Sequence, residues 1–187
     1  MSFLPSDYEL PKSKSNYMRF EKGENKFRIL GDAIVGWEGW KKDTKGINRP
    51  VRVRQDETIN VDDVDDESRI KHFWAFVVFN YAEEKVQILE ITQKGIMKSV
   101  NALEQSKDWG DPKNYDILVV KTGEGLDTEY SVNPAPPKKL DEGIVKYYKD
   151  MEINLEALFD NDDPFKASEQ KKQDDFVDEV SKAIDKE

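Results

Sequence analysis

Two tryptophans, Trp37 and Trp40, stand three positions apart around Gly39 in "GWEGWKKDTKGINRPVRVR", and Lys41, Lys42, Lys45, Arg49, Arg52 and Arg54 follow within fifteen positions. Flat rings interleaved with cations suit a polyanion that carries flat faces of its own. The cations track phosphates and the rings take unpaired bases. A second aromatic group lies in "HFWAFVVFNY", residues 72–81, directly after Lys71. With a period of two, Phe73, Ala75, Val77, Phe79 and Tyr81 share one face of a strand, and His72, Trp74, Phe76, Val78 and Asn80 share the other. A small closed barrel admits side chains of limited volume, which places Ala75 and Val77 inside and turns Trp74 and Phe76 outward. Such an exposed pair is costly unless C-terminal helices or a ligand cover it. Stacking on an aromatic ring is worth roughly 1–3 kcal/mol per base, so three bases give roughly 3–9 kcal/mol before any phosphate contact. Tyr130 and Lys121, on the last hairpin, complete the stacking and phosphate-binding sets.

Catalytic chemistry finds less support. "VDDVDDE" supplies Asp62, Asp63, Asp65, Asp66 and Glu67, but lacks the glycine and spacing of a calcium loop. A two-metal nuclease needs its carboxylates on rigid elements, whereas this stretch reads as a charged loop. His72 is the single histidine and there is no cysteine, which excludes histidine-pair and thiolate metal sites and disulfides. "TGEG" at 122–125 is followed by a strand and not a helix, so it is a turn and no phosphate cradle. The expectation is a protein without catalytic residues, metal or cofactor.

The net charge of -10 argues against nucleic acid, but the charge is segregated. Leu10 to Arg54 holds twelve Lys or Arg against five acidic residues, while Asp160 to Glu187 holds ten acidic against five basic. Screening at physiological salt sets in over roughly 8 Å, so a polyanion responds to the local patch. In the acidic tail, Asp174, Asp175, Asp178 and Glu179 flank Phe176, a pattern suited to docking on a basic partner groove. The N-terminus has no apolar run of signal-peptide length and no stretch reaches a membrane span. A cytoplasmic protein with no membrane partner is expected.

These residues need a scaffold. "NKFRILGDAIVGWEGW" reads as a long strand, or two halves bent at Gly31 and Gly36, and "RPVRVRQ" as a short strand with one basic face. "HFWAFVVFNY" and "KVQILEIT" form a hairpin. Ile96, Met97, Val100 and Leu103 mark a helix, and "YDILVVKTGEGLDTEYSVNPAP" is a second hairpin. The order is strand, (short strand), strand, strand, helix, strand, strand, and all these elements fall in the order of a five-stranded antiparallel oligonucleotide-binding (OB) barrel with a helix between its third and fourth strands, a mainly β fold. A small β-sandwich is the alternative. Residues 1–15 read as a flexible arm, 16–135 as the OB core, 136–159 as C-terminal helices packed on the barrel, and 160–187 as an acidic, disordered tail.

"NYMRFEKGENKFRIL", "AIVGWEGW", "HFWAFVVFNY…VQILEITQKGI", "YDILVVKTGEGLDTEYSVNPAP" and "NLEALF" together resemble the replication single-stranded DNA-binding proteins of tailed bacteriophages. The resemblance implies an OB fold and sequence-tolerant binding of single-stranded DNA in phage replication, recombination and repair, in the host cytoplasm. It also implies an acidic tail that contacts replisome or recombination proteins. Trp37, Trp40, Trp74, Phe76 and the nearby cations are the matching positions. The chain departs from the family in lacking cysteine for the zinc that some members carry. It also ends "AIDKE", without the acidic run closed by an aromatic. A protein-binding adaptor of OB type is the rival from another class, and a nuclease using the acidic loop a third.

Overall fold

The computed structural model describes residues 15–167 and residue 169. All but the last residue of the expected arm at 1–15, and most of the acidic tail at 160–187, lie outside the described residues. Eight strands form one sheet: β1 (Tyr17–Met18), β2 (Gly23–Ile29), β3 (Ile34–Lys42), β4 (Asn48–Arg54), β5 (Lys71–Asn80), β6 (Lys85–Ile91), β7 (Asp116–Thr122) and β8 (Glu129–Pro134). Helix α1 (Lys94–Gln105) joins β6 to β7, and α2 (Glu142–Met151) follows β8. The main path runs β1-β6-β5-β2-β7-β8. β5 is the hub. Its first half pairs with β3 and its second half with β2, so β2 and β3 are two halves of one bent strand broken at residues 30–33.

The fold is mainly β, and the order of elements, including the helix before the last hairpin, is the expected one. The expected closed five-stranded barrel is not confirmed. Eight strands form, and the sheet is not closed among the described residues. The physical reason lies at β6. The edge of β6 away from β5 is taken at its middle by the parallel two-residue strand β1, with Tyr17 opposite Ile88 and Met18 opposite Leu89, so that stretch is closed to β8. β3 and β4 also form a two-stranded ribbon of their own, because β5 pairs with β3 only as far as Glu38.

Each face of β5 has its own core, which accounts for large aromatics on both. Phe76 and Val78 pack with Phe27, Leu89, Ile117 and Val119 under the Ile96, Met97 and Val100 stripe of α1. Phe73, Ala75 and Val77 pack with Val86 and Ile88 under Met151, Leu158 and Phe165 of the C-terminal segment. The expected face assignment is therefore corrected. Trp74 and Phe76 face the helix-covered core, and the smaller Ala75 and Val77 face the C-terminal cover. A strand buried on both sides is apolar throughout, so volume does not tell its faces apart.

The cover is built locally. Asp141 caps α2 by accepting from the backbone N–H groups of Gly143 and Ile144, and Asn154 caps a 3-10 turn at Leu155–Asp160 by accepting from Glu156. Packing continues past residue 159, since Pro164 and Phe165 are buried and the Phe165 ring meets Tyr17 edge-on at 6.5 Å. Close approach is enforced at Gly36, where a Cβ would overlap the Val53 carbonyl oxygen and lie 3.1 Å from the rings of Phe73 and Phe159.

The acidic stretch is not a floppy loop. It forms 3-10 turns at Val61–Asp63 and Glu67–Arg69, capped by the side chains of Asn60 and Asp66. Ile59 and Val64 are buried, and Val64 lies over Gly39. The Asp65 N–H donates to the Trp40 carbonyl at 2.9 Å and its carboxylate accepts from the Lys42 N–H at 2.8 Å. These bonds satisfy the edge of β3 that β5 leaves free. Two apolar anchors and the pairing of that strand edge outweigh the like-charge repulsion.

Candidate nucleic-acid interface

Along β3 the side chains alternate without a bulge, so Trp37 and Trp40, three apart, project from opposite faces of the β3–β4 ribbon. Both are exposed, at 37% and 42%. The structure does not bring them together as one platform.

On the first face, Trp37 stands opposite Val53 of β4 and His72 of β5, and Val35 stands opposite Trp74. The Trp37 and His72 ring centroids are 5.0 Å apart. Trp37 Nε1 donates to the Gln55 carbonyl at 3.3 Å, and Trp74 Nε1 donates to His72 Nε2 at 3.2 Å. The second bond assigns the His72 proton to Nδ1, a buried atom with no hydrogen-bond partner among the described residues. Trp37, His72 and Trp74 thus form a continuous aromatic row, graded from exposed to half-buried. Beyond it opens a cleft in which Trp74, Phe76, Ile29 and Val100 give apolar walls, while Asp32, Glu104, Asp111 and Lys113 contribute its charges. Farther along the ribbon on the same face lie Lys41 and, opposite it, Arg49. Lys41 Nζ donates to the Asp62 carbonyl at 2.6 Å, and Arg49 pairs with Asp43 at 3.2 Å while remaining exposed.

On the second face, Trp40 lies opposite Pro50, and Lys42, Lys71, Arg52 and Arg54 share its side of the sheet. Lys42 and Lys71 are exposed. Arg52 is not available to phosphate. Its guanidinium bonds Glu38 at 2.8 Å and Glu90 at 2.8 and 3.1 Å, and lies 5.5 Å from the Phe73 ring centroid. Glu38 is buried, and burial together with the neighbouring Glu90 charge outweighs Arg52 and pushes its carboxyl up to about 7. Arg54 bonds Glu156 at 2.8 Å and sits 4.8 Å from the Phe159 ring centroid, clamping the C-terminal cover to β4.

Three other sequence candidates are displaced from the row. Phe76 is 3% exposed within the core, so it presents no face to a base. Tyr130 packs on Phe20 with ring centroids 5.8 Å apart, and Lys121 donates to the Phe20 carbonyl at 3.1 Å. Both tie β7 and β8 to the chain before β2. The tail residues Asp174, Asp175, Phe176, Asp178 and Glu179 lie outside the described residues.

Sequence reasoning missed His72 as part of the row. Its signal was present: it precedes Trp74 by two positions and so shares its face. Among the described residues no group of three or more His, Cys, Asp or Glu is arranged to hold a metal ion, and no helix is long and apolar enough to cross a membrane. No family model matches this chain, and neither does any curated protein or solved structure.

Proposed function

We propose that the protein binds single-stranded DNA without sequence preference and without catalysis, in the manner of the OB-type replication proteins its sequence resembles. The observation that supports this reading is the row Trp37–His72–Trp74, which runs from solvent to a half-buried cleft on one sheet face, with Lys41 and Arg49 on that face beyond Val64, which lies over Gly39 between them. An exposed indole on a sheet face is a platform for any base, because every base has a π-face. The half-buried Trp74 at the cleft mouth has room for a second ring. Cations at the ribbon end supply the salt-dependent, sequence-independent part of the affinity.

On this reading the first ribbon face carries the strand. Arg52 and Arg54 keep structural roles, and Trp40 with Lys42 and Lys71 forms a separate, weaker surface. The role in phage replication, recombination and repair, and contacts of the acidic tail with replisome proteins, are the wider setting that the resemblance supplies.

The test is a titration of the full chain with oligo-dT, followed by tryptophan fluorescence over a salt series. Quenching that saturates, with log affinity falling against log salt by about 0.7 per phosphate contacted, supports the proposal. Absence of quenching favours a protein-binding adaptor. Shortening of the oligonucleotide on addition of magnesium favours a nuclease.

A further inference from the structure

A second groove adjoins the aromatic cleft. It lies between the turn at residues 111–114, the segment after β8 and helix α2, and five cations line it: Arg28, Lys113, Lys138, Lys139 and Lys149. No carboxylate is among its lining residues, in a chain whose net charge is -10. The cations are held by chemistry beneath and beside the groove. Asp116 is fully buried and bonds Arg28 at 2.8 Å and Lys138 at 2.9 Å, while Lys26 approaches it at 3.4 Å. Asp116 thus faces three cations; counting Asp32 and Asp111 beside Lys113 and Glu142 beside Lys139, six cations stand against four carboxylates, a local excess of positive charge. Lys139 is anchored by Glu142 at its outer edge, and Lys113 by Asp32.

The two cavities share a wall. Lys113 and Ile29 line both, and the 30–33 segment that divides them is pressed so close to α2 that a Cβ on Gly31 would overlap the Tyr148 hydroxyl. Their charges differ. The aromatic cleft is rimmed by Asp32, Glu104 and Asp111 against Lys113, which repels phosphate while leaving apolar walls for a ring. The groove is the reverse, rich in cations and with Tyr148, Leu140 and Val145 as apolar floor.

We propose that this groove is a second nucleic-acid subsite, which holds backbone phosphates of the same single strand after a base has entered the Trp74 cleft. The inference rests on the single-strand reading above. It assigns Lys139 and Lys149, at the open side, to phosphate contact. An acidic polypeptide is the other ligand of matching charge, but nothing in it would use the adjoining aromatic cleft.

The test compares oligo-dT of about 4 and about 16 nucleotides, the two ends of the range an OB-type site spans. Wild-type protein and the double variant K139E/K149E are titrated by tryptophan quenching over a salt series, with K139Q/K149Q as a milder pair. Lys139 is 81% exposed and Lys149 is exposed, so both variants keep the fold. The expected result is unchanged affinity for the short oligonucleotide. For the long one, affinity falls at least tenfold and the salt slope drops by about 1.4, two phosphates at about 0.7 each. Equal slopes for variant and wild type with both lengths, while quenching persists, overturn the groove and leave the single-strand reading standing. Failure of wild-type protein to bind either length overturns both. Binding of poly-glutamate that K139E/K149E abolishes, with DNA binding untouched, assigns the groove to an acidic protein and overturns it as a DNA subsite.

Discussion

Trp37 and His72 face each other across β3 and β5 with ring centroids 5.0 Å apart, and the indole of Trp74 donates to the far nitrogen of the same imidazole. Three rings are thereby fixed in one row by the β3–β5 backbone ladder and one hydrogen bond. His72→Ala is expected to leave the sheet intact and loosen Trp74, whose indole N–H loses its acceptor. The expected stability loss is about 1–3 kcal/mol, the cost of one unpaired half-buried donor. Urea unfolding measures it, and oligo-dT affinity should fall with it.

Phe76 and Trp37 separate packing from binding. Phe76→Ala empties a site beneath α1 and should cost about 3–5 kcal/mol, read as a lower urea midpoint. Trp37→Ala removes an exposed ring, so the stability it costs should stay below about 1 kcal/mol, far short of a core truncation.

Much of the fold is legible in the sequence because it is local. The hairpins at 71–91 and 116–134, the α1 stripe and the Asn154 cap rest on period, β-propensity and turn chemistry within about twenty residues. What is not legible is long-range. No spacing tells that Arg52 will meet Glu90, thirty-eight positions away, and so be lost to phosphate. The faces of β5 are ambiguous because both are apolar. The opposition of Trp37 and Trp40 was present in their odd spacing, but two indoles beside Gly39 invite reading as one platform. The acidic stretch hides its two anchors, Ile59 and Val64, among seven Asp or Glu between residues 56 and 67.

Glu38 sets a pH dependence. Its carboxyl is pushed up to about 7 in the fold, above the ordinary value of 4.5. The folded state therefore binds more protons than the unfolded one between these limits, and the slope of unfolding free energy against pH is negative there. The contribution is fully present below pH 4.5 and is lost as pH rises through 7. Glu38→Gln should flatten this part of the stability profile, measured by urea unfolding on both sides of neutrality.

Asp116 works in the opposite sense. Burial raises its carboxyl, but the donors Lys138 and Tyr81 and the charge of Arg28 overcome burial and hold it below the ordinary value. Its stabilisation is present at neutral pH and is lost as pH falls through the folded value. Asp116→Ala leaves Arg28 buried and unpaired and should cost about 3–5 kcal/mol, whereas a paired replacement of both by apolar residues should recover much of the loss. Urea midpoints of the single and the paired variant, side by side, check both halves.

The most direct measurement is the oligo-dT affinity of Trp37→Ala beside that of Trp40→Ala, at one low salt concentration. Loss of one stacked base weakens binding by about 1–3 kcal/mol, roughly 5- to 150-fold. That loss is predicted for Trp37→Ala, with Trp40→Ala close to wild type. Wild-type affinity in Trp37→Ala with a large loss in Trp40→Ala would contradict the assignment of the strand to the Trp37–His72–Trp74 face.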